Sequence, residues 1–189
     1  MPDTPDTSLA LKDLADLLDK AELRYTHAPD SDVLRVTFSS DHYVDETGDK
    51  RICIFLTVQP DEQLVVADIP WVYRLEDARD KQAARKALLY VNFSVKAAHF
   101  GVDPEDRNEV RARAEIWLKG VVPSGEFIGA ALGRLAGQVD YCARLLGPVW
   151  RGGKKELRAL IERNMRPAPA RFRNKRSDSV RREPPRSVS

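Results

Sequence analysis

Residues 83–118 read AARKALLYVNFSVKAAHFGVDPEDRNEVRARAEIWL, a run in which the apolar period changes from helical to extended. Ala84, Ala87, Leu88 and Val91 recur at helical spacing, so one face of the first part seeks a core. Asn92 closes that segment, and a β-rich run, 93–102, follows. Beyond the polar loop 103–109 the alternation is strict. Val110, Ala112, Ala114, Ile116 and Leu118 alternate with Arg111, Arg113, Glu115, Trp117 and Lys119. That pattern describes an antiparallel strand covered on one side and wet on the other. Helix, asparagine corner and hairpin are therefore the unit around which the rest must pack.

Upstream, Thr7 or Ser8 is placed to cap a first helix carrying Leu11, Leu14, Leu18 and Ala21 on one face and ending near Glu22. A short strand, 24–27, precedes a clear one at 33–39, where Leu34, Val36 and Phe38 alternate with Arg35 and Thr37. The loop 41–50 is rich in turn formers. The run RICIFLTV at 51–58 is nearly continuous in apolar residues, which predicts a central strand covered on both faces. A turn at Pro60 and a returning strand, 63–68, complete a meander, because each link is short. Pro70 argues against a regular central strand across 69–75. Glu76, Asp77 and Asp80 then favour the positive end of the helix that follows.

Downstream, Ser124 caps a long helix with Ile128, Leu132, Leu135, Val139, Cys142 and Leu146 on one stripe, and Gly147-Pro148 predicts its end. A short accessory helix is expected at 154–165. The organisation expected is a polar leader at 1–7, one α+β domain at 8–150, the accessory segment 151–165 and a disordered tail at 166–189. The fold expected is an antiparallel sheet packed by helices in the order α-β-β-β-(β)-α-β-β-α.

Charge divides the chain unevenly. The last 24 residues hold eight cations and two anions, a net +6, whereas the first 165 hold 23 cations and 27 anions, a net −4. The acidic, proline-bearing start excludes a secretory signal, and no run approaches the roughly 20 apolar residues of a membrane helix. Cys53 and Cys142 read as small buried hydrophobes in a reducing compartment, which points to the cytoplasm.

Certain residues carry a family resemblance. Leu88-Leu89-Tyr90-Val91-Asn92, Phe100-Gly101-Val102-Asp103 and Gly133-Arg134-Leu135-Ala136-Gly137-Gln138-Val139-Asp140-Tyr141 resemble the YbjN family, whose fold is similar to that of type III secretion chaperones. The resemblance covers residues 8–150. The long loop 41–50, the 154–165 helix and the basic tail are departures from it. It implies a cytoplasmic regulator or chaperone-like, non-enzymatic protein-binding scaffold, often a dimer, and it carries over no catalytic residue and no cofactor.

Candidate sites follow from the residues themselves. Trp117, flanked by Arg111, Arg113 and Glu115, is a large aromatic on a polar strand face and so a candidate anchor for a protein partner or peptide segment. Gly129, Gly133 and Gly137 each cost about 1 kcal/mol of helix propensity, which suggests close helix packing or a homodimer face, with packing inside the subunit favoured. Arg171, Arg173, Lys175, Arg176, Arg181 and Arg182 in the tail suit a solubilising role, with salt-sensitive nucleic-acid binding as the alternative. Asn92 is read as tying off backbone groups. His27, His42 and His99 lack metal-ligand spacing. Ser39, Ser40, Asp41 and His42 read as a polar turn, and Asp41, Asp45, Glu46 and Asp49 as a solvated acidic loop.

Overall fold

The computed structural model describes residues 10–164 apart from 29, 107 and 119–122. The expected leader 1–7, Lys119 and the tail 166–189 lie outside the described residues. Among the described residues four helices, α1 (Leu11–Lys20), α2 (Lys81–Ser94), α3 (Gly125–Gly152) and α4 (Lys154–Asn164), accompany six strands. The strands are β1 (Tyr25–His27), β2 (Leu34–Ser39), β3 (Arg51–Gln59), β4 (Leu64–Arg74), β5 (His99–Asp103) and β6 (Glu109–Trp117). They form one antiparallel sheet in the order β1-β2-β3-β4-β6-β5.

Alternation assigns the two faces. Leu34 and Val36, Ile52, Ile54 and Leu56, Val65, Ala67 and Ile69, and Val110, Ala112 and Ile116 point inward and are buried. Against them lie Leu14 and Leu18 of α1, Ala84, Ala87, Leu88 and Val91 of α2, and Ile128, Leu132, Leu135, Val139 and Leu146 of α3. The other face displays Arg35, Cys53, Phe55, Arg113, Glu115 and Trp117, all exposed or half-exposed.

Several expectations are corrected. The 51–58 strand has only its inward face covered by helices, because Cys53, Phe55 and Thr57 stand half-exposed on the open face. Cys53 is thus not a buried hydrophobe, while Cys142 is, and burial pushes its thiol up to about 12. Helix α2 runs past Asn92 to Ser94, so Phe93 is helical, and β5 begins only at His99. The 24–27 segment does join, as the edge strand β1. Strand β4 continues through Pro70 by an irregularity between Ile69 and Tyr73 in its register with β6.

The largest difference is at Pro148. Helix α3 does not stop at Gly147-Pro148 but runs 28 residues to Gly152. An interior proline costs about 3 kcal/mol, so something must offset it. Val149 and Trp150 beyond it are buried; Trp150 stacks on Tyr73 with centroids 4.6 Å apart, and its indole N–H donates to the Arg74 carbonyl at 2.9 Å. The Arg79 amide donates to the Trp150 carbonyl at 2.9 Å. The boundary expected at Trp150 consequently falls inside a helix, and Leu157 and Leu160 of α4 belong to the same core.

Asn92 explains how the β5 edge is closed. Its side-chain amide donates to the Phe100 carbonyl at 2.8 Å and its oxygen accepts from the Phe100 amide at 2.7 Å. One side chain thereby imitates a further strand for one residue, satisfying the outward backbone groups of an edge.

Candidate functional site

The open face is organised by the pairing of β4 with β6. Trp117 stands opposite Leu64, Glu115 opposite Val66, and Arg113 opposite Asp68. Trp117 is 55% exposed, although Leu64 and Val66 on the same face are buried. Arg113 reaches Asp68 at 3.4 Å. The sequence-predicted residues Arg111, Arg113, Glu115 and Trp117 therefore share one face, but they do not have one role. Arg111 is drawn into a carboxylate cluster on that face, 3.6 Å from Asp68, 3.5 Å from Asp103, 3.7 Å from Asp106 and 3.2 Å from Glu109. It is occupied in holding the hairpin together and offers little to a partner.

Glu109 and Trp71 are residues whose roles the sequence did not disclose. Glu109 is 1% exposed and accepts the Trp71 amide at 2.6 Å. Burial pushes its carboxyl up, as does Asp106, against the Trp71 amide and Arg111. Trp71 has φ +54°, a left-handed conformation uncommon for a bulky residue, and is 45% exposed. A cavity of about 240 Å³ opens beside it, walled by Tyr43, Cys53, Phe55, Ile69 and Pro70. Pro70 inside a strand-like run was the available signal for this bulge.

The polar turn at residues 39–42 is tied to α3 by one carboxylate. The Asp140 carboxylate of α3 accepts Ser40 Oγ at 2.5 Å and the His42 and Tyr43 amides at 2.8 and 2.9 Å. Burial works against the charged form, but these donors prevail and hold Asp140 below its ordinary value. Three donors converge on one oxygen, an arrangement that pins the loop to α3. The loop 41–50 is likewise built rather than merely solvated. Asp45 accepts from the Thr47 and Asp49 amides and from Arg51 Nε, and the Thr47 hydroxyl and Arg51 hold its carboxyl well below the usual range.

The three glycines separate. A Cβ at Gly129 would meet Ala21 Cβ at 3.4 Å, whereas one at Gly133 or Gly137 would meet nothing within 4 Å. The close approach within the subunit is one turn earlier, at Gly125, where a Cβ would sit 2.8 Å from the backbone of Lys20 and Ala21. Gly125→Ala is therefore expected to destabilise by about 1.5 kcal/mol, and Gly133→Ala to stabilise by about 0.5–1 kcal/mol. Paired urea titrations of the two variants check the opposite signs. Among the described residues no group of three or more His, Cys, Asp and Glu is arranged to hold a metal ion, and no helix is long and apolar enough to cross a membrane. Arg171, Arg173, Lys175, Arg176, Arg181 and Arg182 lie outside the described residues.

No family model matches this chain, and neither does any curated protein. Solved structures do. YbjN from E. coli, described as a proposed transcription regulator, aligns over 75% of this chain and 92% of its own, with a TM-score of 0.54 at 13% identity. The ExsC–ExsE complex aligns over 58% of this chain and 80% of the matched one, with a TM-score of 0.36 at 16% identity. At such identities what is shared is the fold. With helices covering one face of a six-stranded antiparallel sheet and the YbjN superposition spanning most of both chains, this chain has the YbjN-like α+β fold.

Proposed function

We propose that the chain is a non-enzymatic, chaperone-like or regulatory module that captures a segment of a partner protein on the open face of its sheet. The observation that carries this reading is the exposed Trp117 at the Leu64 end of a face that no helix covers among the described residues. A large amphipathic ring on a rigid strand is the kind of anchor that supplies binding energy at little entropic cost, and its neighbours Arg113 and Glu115 provide a polar rim. Capture of this kind needs no catalytic group and no cofactor. The free thiols Cys53 and Cys142 suit action in a reducing compartment such as the cytoplasm. The same reading has the chain acting as a homodimer, with the exposed Gly133 and Gly137 stripe of α3 free for a close contact.

Pull-downs from nuclease-treated lysate test it with the full chain, a chain ending at Met165 and the Trp117→Ala variant. The expected result is a defined protein partner retained by the first two and reduced at least tenfold by Trp117→Ala. The net +6 charge of residues 166–189 favours a second reading, nucleic-acid association through the tail. Capture by the full chain alone, lost on nuclease treatment or at high salt, selects that second reading.

A further inference from the structure

The side of the molecule opposite the open sheet face carries a groove between α2 and α4. Its volume is about 450 Å³, its floor is Ala83, Leu157 and Ile161, and Lys86, Lys154 and Arg158 stand on its rim with Glu162. Neither those three cations nor the nearby Arg85 has an ion-pair partner among the described residues. The α2 wall of the groove, Gln82 and Lys86, belongs to a longer stripe of that helix. Gln82, Lys86, Leu89 and Phe93 follow one another at i, i+4, i+7 and i+11 on α2, a single stripe of that helix. Leu89 is 70% exposed and Phe93 is 93% exposed, the highest values among the large hydrophobic side chains of the described residues. Both lie off the Ala84, Ala87, Leu88 and Val91 face that fills the core, so packing within the subunit does not account for them.

We infer that this groove and the Leu89–Phe93 stripe together dock an acidic amphipathic helix of a partner protein. Complementarity of charge selects the occupant. Unpaired lysine and arginine around an apolar floor favour a segment with carboxylates beside an apolar ridge, and they disfavour the chain's own tail with its net +6. The length follows from α2. From Gln82 to Phe93 the stripe rises about 17 Å, the length of about three helical turns. Apolar residues at i, i+3 or i+4 and i+7 of the partner would cover Leu157, Ile161 and Leu89 in turn, the helix-in-groove mode of recognition. A concave channel between two helices fits such a rod better than it fits a flat lipid surface.

The experiment uses the full chain and a fluorescent synthetic peptide of three turns, leucine on one face and glutamate elsewhere, beside a scrambled peptide of equal composition. Anisotropy at 150 mM salt is expected to show the amphipathic peptide binding and the scrambled one at least tenfold weaker. Lys86→Glu with Arg158→Glu, and separately Leu89→Ala with Phe93→Ala, are each expected to weaken the amphipathic peptide at least tenfold. All four positions are exposed, so the fold is retained, and circular dichroism verifies this. Equal binding of both peptides overturns the inference, because charge alone then suffices. Binding to phosphatidylserine vesicles without binding to the peptide overturns it in favour of a membrane surface. A wild-type dimer that the Leu89→Ala, Phe93→Ala variant dissociates in sedimentation overturns it in favour of a second copy.

Discussion

Replacing Asp140 by alanine is expected to lower the free energy of unfolding by about 3 kcal/mol, measured by urea titration at neutral pH. The Asp140 carboxylate accepts from the Ser40 hydroxyl and from the His42 and Tyr43 amides, and Ser40 Oγ shares the Tyr43 amide with it. Hydrogen bonds to an ionised group contribute about 1.5–3 kcal/mol each, less in sum because they share one oxygen and stand partly exposed. The tie joins α3 to a chain segment about 100 residues earlier, so its loss frees the β2–β3 connection. The pH dependence has a definite sign. Asp140 is more acidic folded than unfolded, so its contribution is present above the unfolded value and is lost as pH falls through the folded one. Asp140→Asn, which keeps an acceptor, is expected to recover part of the stability and to remove this acid-side dependence.

Glu109→Ala comes second, with an expected loss of about 2 kcal/mol. It strips the Trp71 amide of its acceptor at a residue already held at φ +54°, and it takes one carboxylate from Arg111. The loss stays below that of a severed isolated pair because Asp68, Asp103 and Asp106 remain around the guanidinium. The pH sign is opposite to that of Asp140. Burial raises the folded carboxyl above its unfolded value, so the stability Glu109 contributes is fully present below the unfolded value and is lost as pH rises through the folded one. Glu109→Gln, which keeps the acceptor for Trp71 and cannot ionise, is expected to narrow the loss, most visibly on the alkaline side of the raised Glu109 titration. Trp71 fluorescence, shifted in Glu109→Ala and restored in Glu109→Gln, separates release of the bulge from general loosening.

Chemical periodicity decided a good deal of this protein. The alternation from Val110 to Trp117 set one face of β6 inward and the other outward, and the stripe from Ile128 to Leu146 set the buried side of α3, because burial of an apolar face follows directly from which residues carry it. The meander of β2, β3 and β4 followed from short links, and residues 88–92, 100–103 and 133–141 already resembled the YbjN family, whose fold this chain has.

Only the tertiary structure decided the rest, for reasons of distance along the chain. The passage of α3 through Pro148 rests on Tyr73 and Arg74, some 75 residues away, whose contacts with Trp150 outweigh a local stop signal. Apolar residues in β3 suggested two covered faces, but composition does not count helices, and these lie on one side. Glycine at 125 rather than 133 meets a neighbouring backbone because the crossing of α1 over α3 is set by packing. Asp140 with Ser40, and Glu109 with Trp71, are pairings no local pattern contains. Leu89 and Phe93 were legible as apolar letters, but the three-dimensional core alone shows that they are left outside it.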